Sequence, residues 1–358
     1  MIYSIDNPPG VRMIQRTKKE KIAHFLKYMA NNEINKTVFI KKENINYFLE
    51  DYSPNFSVLI FDIKENQIEL QVSKLDYELA KIYESKDVKI TQFESWREAL
   101  KGCNGIEGDL PVGFLKYVSL GHKIITNELT KMKMVKNKDE IKNLSKAAEI
   151  SDKAVASISE YLLDNRDNLK DTENSIAAKL EYIMKKSGSI KPSFDTIAIT
   201  GNKTSLPHGM PSNELVKDIC LMDLGAVYKG YCSDITRTVL LNPTNEMIDI
   251  YRLVNEGKHI AEDLLRSGIT SKELETSVRN HFKDYDKYFI HSLGHGVGVE
   301  VHENPTISQN SKFTLEENMI ITLEPGLYIG KFGVRIEDLY LVKKDGFKKL
   351  SSAKIMDY

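Results

Sequence analysis

Apolar positions along the first third of the chain fall in short blocks of two kinds. Ile22, Phe25, Leu26 and Met29 recur at helical intervals behind Thr17-Lys18-Lys19-Glu20, a capping-box pattern that predicts a helix start. Extended apolar runs at residues 37–40 and 57–63, with shorter ones near 68–72, 88–91 and 123–126, predict strands. Helical spacing at residues 75–83 and 93–100 predicts helices between them. Such alternation describes an α/β domain of about 125 residues, an ordinary single-domain size. Its histidines, His24 and His122, stand alone, and no catalytic constellation is visible there.

The pattern changes across a polar, Lys-rich stretch at residues 127–140, which sets the expected domains at 1–128 and 129–358. Asn137 and Glu140 can cap a long helix whose stripe of Ile141, Leu144, Ala148, Val155, Ile158 and Leu162 marks a buried face. Further helices are predicted at 173–187, 245–267 and 271–285, the last behind a second capping box, Thr270 to Glu273. Strand runs lie at 197–200, 218–227, 231–241, 319–323 and 334–342. The second domain is therefore expected to be α+β, with helices covering one face of a mostly hairpin-built sheet.

Composition narrows the class without naming a chemistry. Among 358 residues, 50 bases balance 51 acids for a net charge of −1, which argues against a dedicated nucleic-acid binder. No apolar run reaches the length of a membrane span, and the N-terminus has no apolar signal core. Three cysteines, Cys103, Cys220 and Cys232, lack C-x-x-C spacing, which fits neither a disulfide scaffold nor a cysteine zinc site. The expectation is a cytoplasmic protein with no membrane or nucleic-acid partner.

The informative feature is where four acids sit within strand-like runs. Asp223 and Asp234 flank the turn-prone Tyr228-Lys229-Gly230, and a hairpin centred on the Tyr228–Lys229 bond would set them directly opposite each other. Glu324 and Glu337 are likewise symmetric about Gly330-Lys331. Their neighbours, among them Leu221, Met222, Leu224, Ile235, Ile321, Leu323 and Ile336, are apolar, a setting in which unpaired carboxylates are costly. A cation would resolve the conflict.

His295 supplies a nitrogen ligand. It lies in His291-Ser292-Leu293-Gly294-His295-Gly296-Val297-Gly298, too glycine-rich for a helical H-E-x-x-H zinc motif and without the context of a dinucleotide fingerprint. Four of the eight histidines, His208, His291, His295 and His302, occupy Gly- or Pro-rich loops. Four carboxylates and an imidazole can hold two divalent metals about 3.5–4 Å apart, and a water shared between them would ionise near neutral pH. The implied chemistry is hydrolysis. Oxygen-rich ligands suit manganese, cobalt, iron or zinc.

Here the sequence resembles a known family. The segments DLGAVYKGYCSDITRT, HSLGHGVGVEVHE, EPGLYI and GVRIED resemble the pita-bread metallopeptidases, in their proline-directed branch of prolidases and Xaa-Pro aminopeptidases. The run FDTIAITGNKTSLPHG looks closest to archaeal-type Xaa-Pro dipeptidases. The resemblance implies a C-terminal pita-bread domain behind a creatinase-type α/β N-domain. It also implies two metal ions, most readily manganese or cobalt, on Asp223, Asp234, His295, Glu324 and Glu337.

By the same resemblance, Asp234 and Glu337 would contact both metals. Asp223 would complete one site, and His295 with Glu324 the other. Glu324 would also shuttle a proton, His208 and His302 would orient substrate and stabilise the tetrahedral intermediate, and His291 would face substrate or support a ligand. Arg335, two residues before Glu337, shares its strand face and is expected beside the metals; Arg237 should face away and be structural.

The implied reaction is attack of a bridging hydroxide on an Xaa-Pro bond in a small peptide with a free N-terminus. The implied assembly is a homodimer. One departure stands out: Thr306 follows His302-Glu303-Asn304-Pro305 where some close dipeptidases carry a basic residue. The alternatives are an Xaa-Pro aminopeptidase acting on longer peptides and, more remotely, a non-catalytic binding homologue. The latter typically loses ligands that this chain keeps.

Overall fold

The computed structural model describes residues 18–51 and 54–358. The chain divides into two compact units, a smaller one within residues 16–133 and a larger one from 134 to 358.

The smaller unit opens with α1 (Lys18–Asn31) on the predicted apolar stripe; the proposed cap at Thr17 lies outside the described residues. Then come β1 (Lys36–Phe39), α2 (Lys42–Leu49), β2 (Ser57–Asp62), β3 (Gln67–Val72), α3 (Tyr77–Ala80), β4 (Val88–Gln92), α4 (Trp96–Leu100), β5 (Gly105–Ile106), β6 (Lys123–Ile124) and α5 (Thr126–Met134). The strands form one mixed sheet in the order β4-β3-β2-β1-β5-β6. Phe25 of α1, Phe48 of α2 and the sheet residues Phe39 and Phe61 pack as one aromatic cluster, with neighbouring ring centroids 4.9–5.6 Å apart. Both α2 and α5 are absent from the sequence reading. The first is only two turns long, and the second lies in the Lys-rich stretch that suggested a linker.

The larger unit begins with α6 (Lys138–Asp164), whose Asn137–Glu140 capping box forms as expected. α7 (Glu173–Lys186), α8 (Asn245–Leu264) and α9 (Ser271–Phe282) follow the predicted helices closely, and Thr270 with Glu273 makes the second capping box. β7 (Ile197–Thr200), β8 (Ile219–Leu224) and β11 (Ile235–Leu240) form a three-stranded antiparallel sheet in the order β11-β8-β7. Its hairpin tip is the short pair β9 (Val227–Tyr228) and β10 (Tyr231–Cys232). A second sheet, ordered β13-β12-β14-β17-β18, joins β12 (Gly294–Gly296), β13 (Glu303–Ile307), β14 (Ile320–Leu323), β17 (Asp338–Lys343) and β18 (Gly346–Lys349). The pair β15 (Gly326–Tyr328) and β16 (Gly333–Arg335) caps the β14–β17 hairpin.

The predicted runs 218–227, 231–241 and 334–342 are each broken in two; the first breaks at Gly225-Ala226, just past Asp223, and the other two break at an acid. Asp234 separates β10 from β11, Glu324 lies between β14 and β15, and Glu337 between β16 and β17. At these points side chains leave the regular ladder and converge.

Register corrects one expectation. Lys229 and Gly230 both have positive φ (49° and 76°), the signature of a two-residue hairpin turn centred on their own peptide bond. Tyr228 therefore pairs with Tyr231, and Asp223 pairs with Thr236 rather than facing Asp234. Asp234 lies two residues before Thr236, so it stays on the same face as a diagonal neighbour of Asp223. The second hairpin keeps its predicted register. Leu323 pairs with Asp338 and Gly326 with Arg335, which puts Glu324 across from Glu337.

Among the described residues no helix is long and apolar enough to cross a membrane. All three cysteines are free and buried, and burial pushes each thiol up to about 12, which makes them unreactive at neutral pH.

Candidate metal centre

A cavity of about 700 Å³ opens in the larger unit where the two hairpins meet. Asp223, Asp234, His295, Glu324 and Glu337 all line it, as do His208, His291, His302 and Arg335. The structure thus gathers all nine candidate metal-binding and catalytic residues into one place.

Close approach of backbone makes the gathering possible. A Cβ on Gly294 would lie 2.1 Å from the Thr322 carbonyl oxygen, and one on Gly296 would lie 2.3 Å from that of Asn304. Only glycine on both sides lets β12 press His295 between β13 and β14. The His295 amide also donates to Thr322 Oγ1 at 3.1 Å. On the ring, Nδ1 lies 3.0 Å from the Gly296 carbonyl, which can only accept, so Nδ1 carries the hydrogen. The unprotonated Nε2 is left pointing at Asp234 Oδ2 (3.6 Å) and Glu324 Oε1 (3.5 Å).

Three overlapping sets of donor atoms lie within 4.8 Å of one another: Asp223, Asp234 and Glu337; His295, Glu324 and Glu337; and Asp234, His295 and His302. The first two contain the five expected ligands and share Glu337. The third adds His302, whose exposed ring packs edge-on against His295 at 4.5 Å between centroids. Among the described residues, Asp223 Oδ1, Asp234 Oδ1 and Glu337 Oε1 are buried without a hydrogen-bond partner. Three orphaned carboxylate oxygens and a free imidazole lone pair form a donor set that fits divalent cations.

The electrostatics agree. Burial, followed by repulsion from Glu337, Asp223 and Glu324, holds the Asp234 carboxyl well above the usual range. Burial, with Glu324 and Asp223, does the same to Glu337. Glu324 is pushed up to about 8 by burial, against the pull of Arg335 and with added repulsion from Asp223. Burial lowers His295 to about 4 and His291 to about 3, keeping both imidazoles neutral. Without cations, Glu324 keeps its proton at neutral pH, and Asp234 and Glu337 give theirs up less readily than exposed acids do.

That ordering predicts how the metal-free protein responds to pH. Above about pH 7.5 the buried His291 and His295 are neutral folded or unfolded, so the carboxyls decide the sign. Their raised folded values mean the native state binds more protons than the unfolded chain, so stability falls as pH rises. The melting temperature of chelator-treated protein should drop as pH rises from about 7.5 through about 8, the value for Glu324, and saturating metal should abolish the slope. A rise over that window in metal-free protein would contradict the account.

Arg335 is almost fully buried and uses four of its five N–H groups on protein partners. Nη2 donates to Asp223 Oδ2 at 2.5 Å, Nη1 to Tyr328 Oη at 2.6 Å and to the Pro207 carbonyl at 3.3 Å, and Nε to Thr236 Oγ1 at 3.1 Å. His291 is fully engaged: Nδ1 donates to the Ser292 carbonyl (2.8 Å), and Nε2 accepts from the Tyr328 hydroxyl (2.9 Å). Arg237 faces away, as expected. It donates to the Glu337 and Ala353 carbonyls and to Asp338, which also pairs with Lys258, tying the Glu337 backbone to a buried ionic cluster.

The sequence reading missed three supporting side chains. Thr236 donates to Glu337 Oε2 at 2.8 Å, Thr322 holds the His295 amide, and Tyr328 links His291 to Arg335. Strand alternation could have found two of them, because Thr236 lies two residues past Asp234 and Tyr328 two past the partner of Arg335.

A family model, "Metallopeptidase family M24", matches residues 142–344, more than half of the chain and the whole of this site. The chain belongs to that family. It is 52% identical over 344 residues to an uncharacterised peptidase of Methanocaldococcus jannaschii, covering 94% of this chain and 97% of the relative. It is 39% identical over 348 residues to the Xaa-Pro dipeptidase of Pyrococcus horikoshii, with 93% and 97% covered. The solved prolidase of Pyrococcus furiosus superposes with a TM-score of 0.83 at 38% identity, covering 92% of this chain and 99% of that one. The fold is thus the α+β pita-bread architecture of this metallopeptidase family, preceded by a smaller α/β unit.

Proposed function

We propose that the chain is an Xaa-Pro dipeptidase whose hydrolytic centre is held by Asp223, Asp234, His295, Glu324 and Glu337. One observation carries the reading: orphaned carboxylate oxygens of Asp223, Asp234 and Glu337 converge with the free His295 Nε2 on one cavity wall. Likeness to dipeptidases across nearly the whole chain supports the substrate class. Two divalent cations here, manganese or cobalt by the oxygen-rich donor set, would acidify a shared water and polarise the scissile carbonyl.

The chain's own groups do the rest. Glu324, at the cavity edge between His295 and His291, is placed to accept a proton from the attacking water and return it to the departing proline nitrogen. His208 and His302, exposed on the cavity rim, donate hydrogen bonds to the substrate carbonyl as negative charge builds there. Arg335 holds Asp223 in place and Thr236 holds Glu337. His291, with both ring nitrogens engaged, fixes Tyr328 behind Arg335 rather than meeting substrate. The domain limits 1–128 and 129–358, cytoplasmic location and a homodimer complete the reading. Buried free thiols fit a reducing compartment.

One observation favours the second reading, an Xaa-Pro aminopeptidase. Arg335 is the one Lys or Arg among the described lining residues, and its guanidinium is spent on protein partners, while Thr306 on the wall is neutral. A dipeptide's free carboxylate therefore meets neutral donors and histidines. Turnover of Ala-Pro against Ala-Pro-Ala-Ala, with manganese, cobalt and zinc in turn, separates the two. The dipeptidase reading expects Ala-Pro to be the better substrate by kcat/KM, and efficient cleavage of only the tetrapeptide overturns it.

A further inference from the structure

Glu173 is fully buried in the first turn of α7 and plays no part in the chemistry above. Its carboxylate closes the neck of a loop. Oε1 accepts from the Thr200 amide at 2.8 Å, where the chain leaves β7. Oε2 accepts from the Ser212 amide (2.8 Å) and hydroxyl (2.7 Å), where the loop returns. Lys203, inside the loop, pairs with the same Oε2 and donates to Ser212 Oγ at 2.8 Å.

Between these anchors lie Pro207, His208 and Met210, all on the cavity wall. Two further bonds hold the loop from the cavity side. The Gly333 amide donates to Thr204 Oγ1 at 2.9 Å, and Arg335 Nη1 donates to the Pro207 carbonyl. The loop is thus pinned at its neck by one carboxylate and at its tip by the arginine that holds Asp223.

We propose that Glu173 and Lys203 are a positioning pair that fixes the 200–212 loop and so sets His208 against the reacting carbonyl. The inference rests on the reading of His208 as a substrate-facing donor. Four donors converge on the Glu173 carboxylate, which an ionised acid can satisfy and an amide cannot, since a glutamine would turn N–H groups toward N–H groups. The α7 N-terminus favours the negative charge as well.

The test uses the full-length, metal-loaded protein and the variants E173Q, K203M, K203R, H208A and K203M/H208A. It reads metal content, kcat and KM for Ala-Pro, and amide exchange across 200–212. E173Q and K203M should keep the parent's metal content and lose about 10- to 100-fold in kcat, the scale of a displaced supporting group. K203R should recover most of that loss. K203M/H208A should be no slower than H208A alone, because the pair acts through His208. Exchange in the loop should accelerate at least roughly tenfold on loss of the clamp.

Losses that multiply in the double variant, or parent-like kcat with parent-like exchange in K203M, would overturn the proposal. The two readings fail separately. A parent inactive on Ala-Pro would sink the dipeptidase reading, whereas unchanged exchange in K203M would sink the clamp whatever the activity. K203M serves as the second variant should E173Q misfold, since Lys203 is partly solvent-exposed.

Discussion

Replacing Glu337 by glutamine should lower kcat on an Xaa-Pro dipeptide by about 10³-fold or more, a loss of several kcal/mol of metal-dependent stabilisation. Glu337 belongs to both donor sets that hold the five candidate ligands, so its charge would serve both cations if each set held one. Glutamine keeps the volume, and Thr236 can still bond the remaining carbonyl oxygen, so packing is preserved. The substitution also removes one of the mutually repelling acids, and the metal-free variant should melt no lower than the metal-free parent. Measuring kcat, bound metal and melting temperature together separates these effects. A variant that binds two metals and turns over within tenfold of the parent would contradict the shared role of Glu337.

How much of this was legible in the sequence depends on what fixed each feature. The candidate ligand set followed from a simple conflict, acids in apolar strands, together with motifs that are specific in combination. Glu324 and Glu337 were placed opposite each other correctly because the turn at Gly330-Lys331 was centred where symmetry put it. Asp223 and Asp234 were not, because the positive-φ pair Lys229-Gly230 moved the turn by one residue and the pairing by two. Face was preserved and partner was lost, as period-2 alternation requires.

Other features had no local signal. β12 carries His295 in a glycine-rich run that reads as loop, and its glycines are explained only by the backbone of Thr322 and Asn304 pressing against them. Arg335 was expected beside the metals from alternation, and it does touch a ligand, but its four protein partners come from four separate segments of the chain. His291 was open between facing substrate and supporting a ligand. The Tyr328 hydroxyl on its Nε2, a contact across 37 residues, is what supports the proposed supporting role.

Stripping the metals should abolish hydrolysis of Ala-Pro, and restoring them should return it in step with occupancy. The buried orphan oxygens and the raised carboxyls give the reason: they lack the countercharge that divalent cations would supply, and such cations would also acidify a bound water near neutral pH. Loading should release protons, because Asp234, Glu324 and Glu337 must ionise to bind metal. The most direct measurement is a titration of chelator-stripped protein with manganese or cobalt, following bound metal, released protons and Ala-Pro hydrolysis in one experiment. The account predicts activity that rises with filling of two cations per chain, accompanied by net proton release. Full hydrolysis in stripped protein, or activity complete with no metal bound, would contradict it.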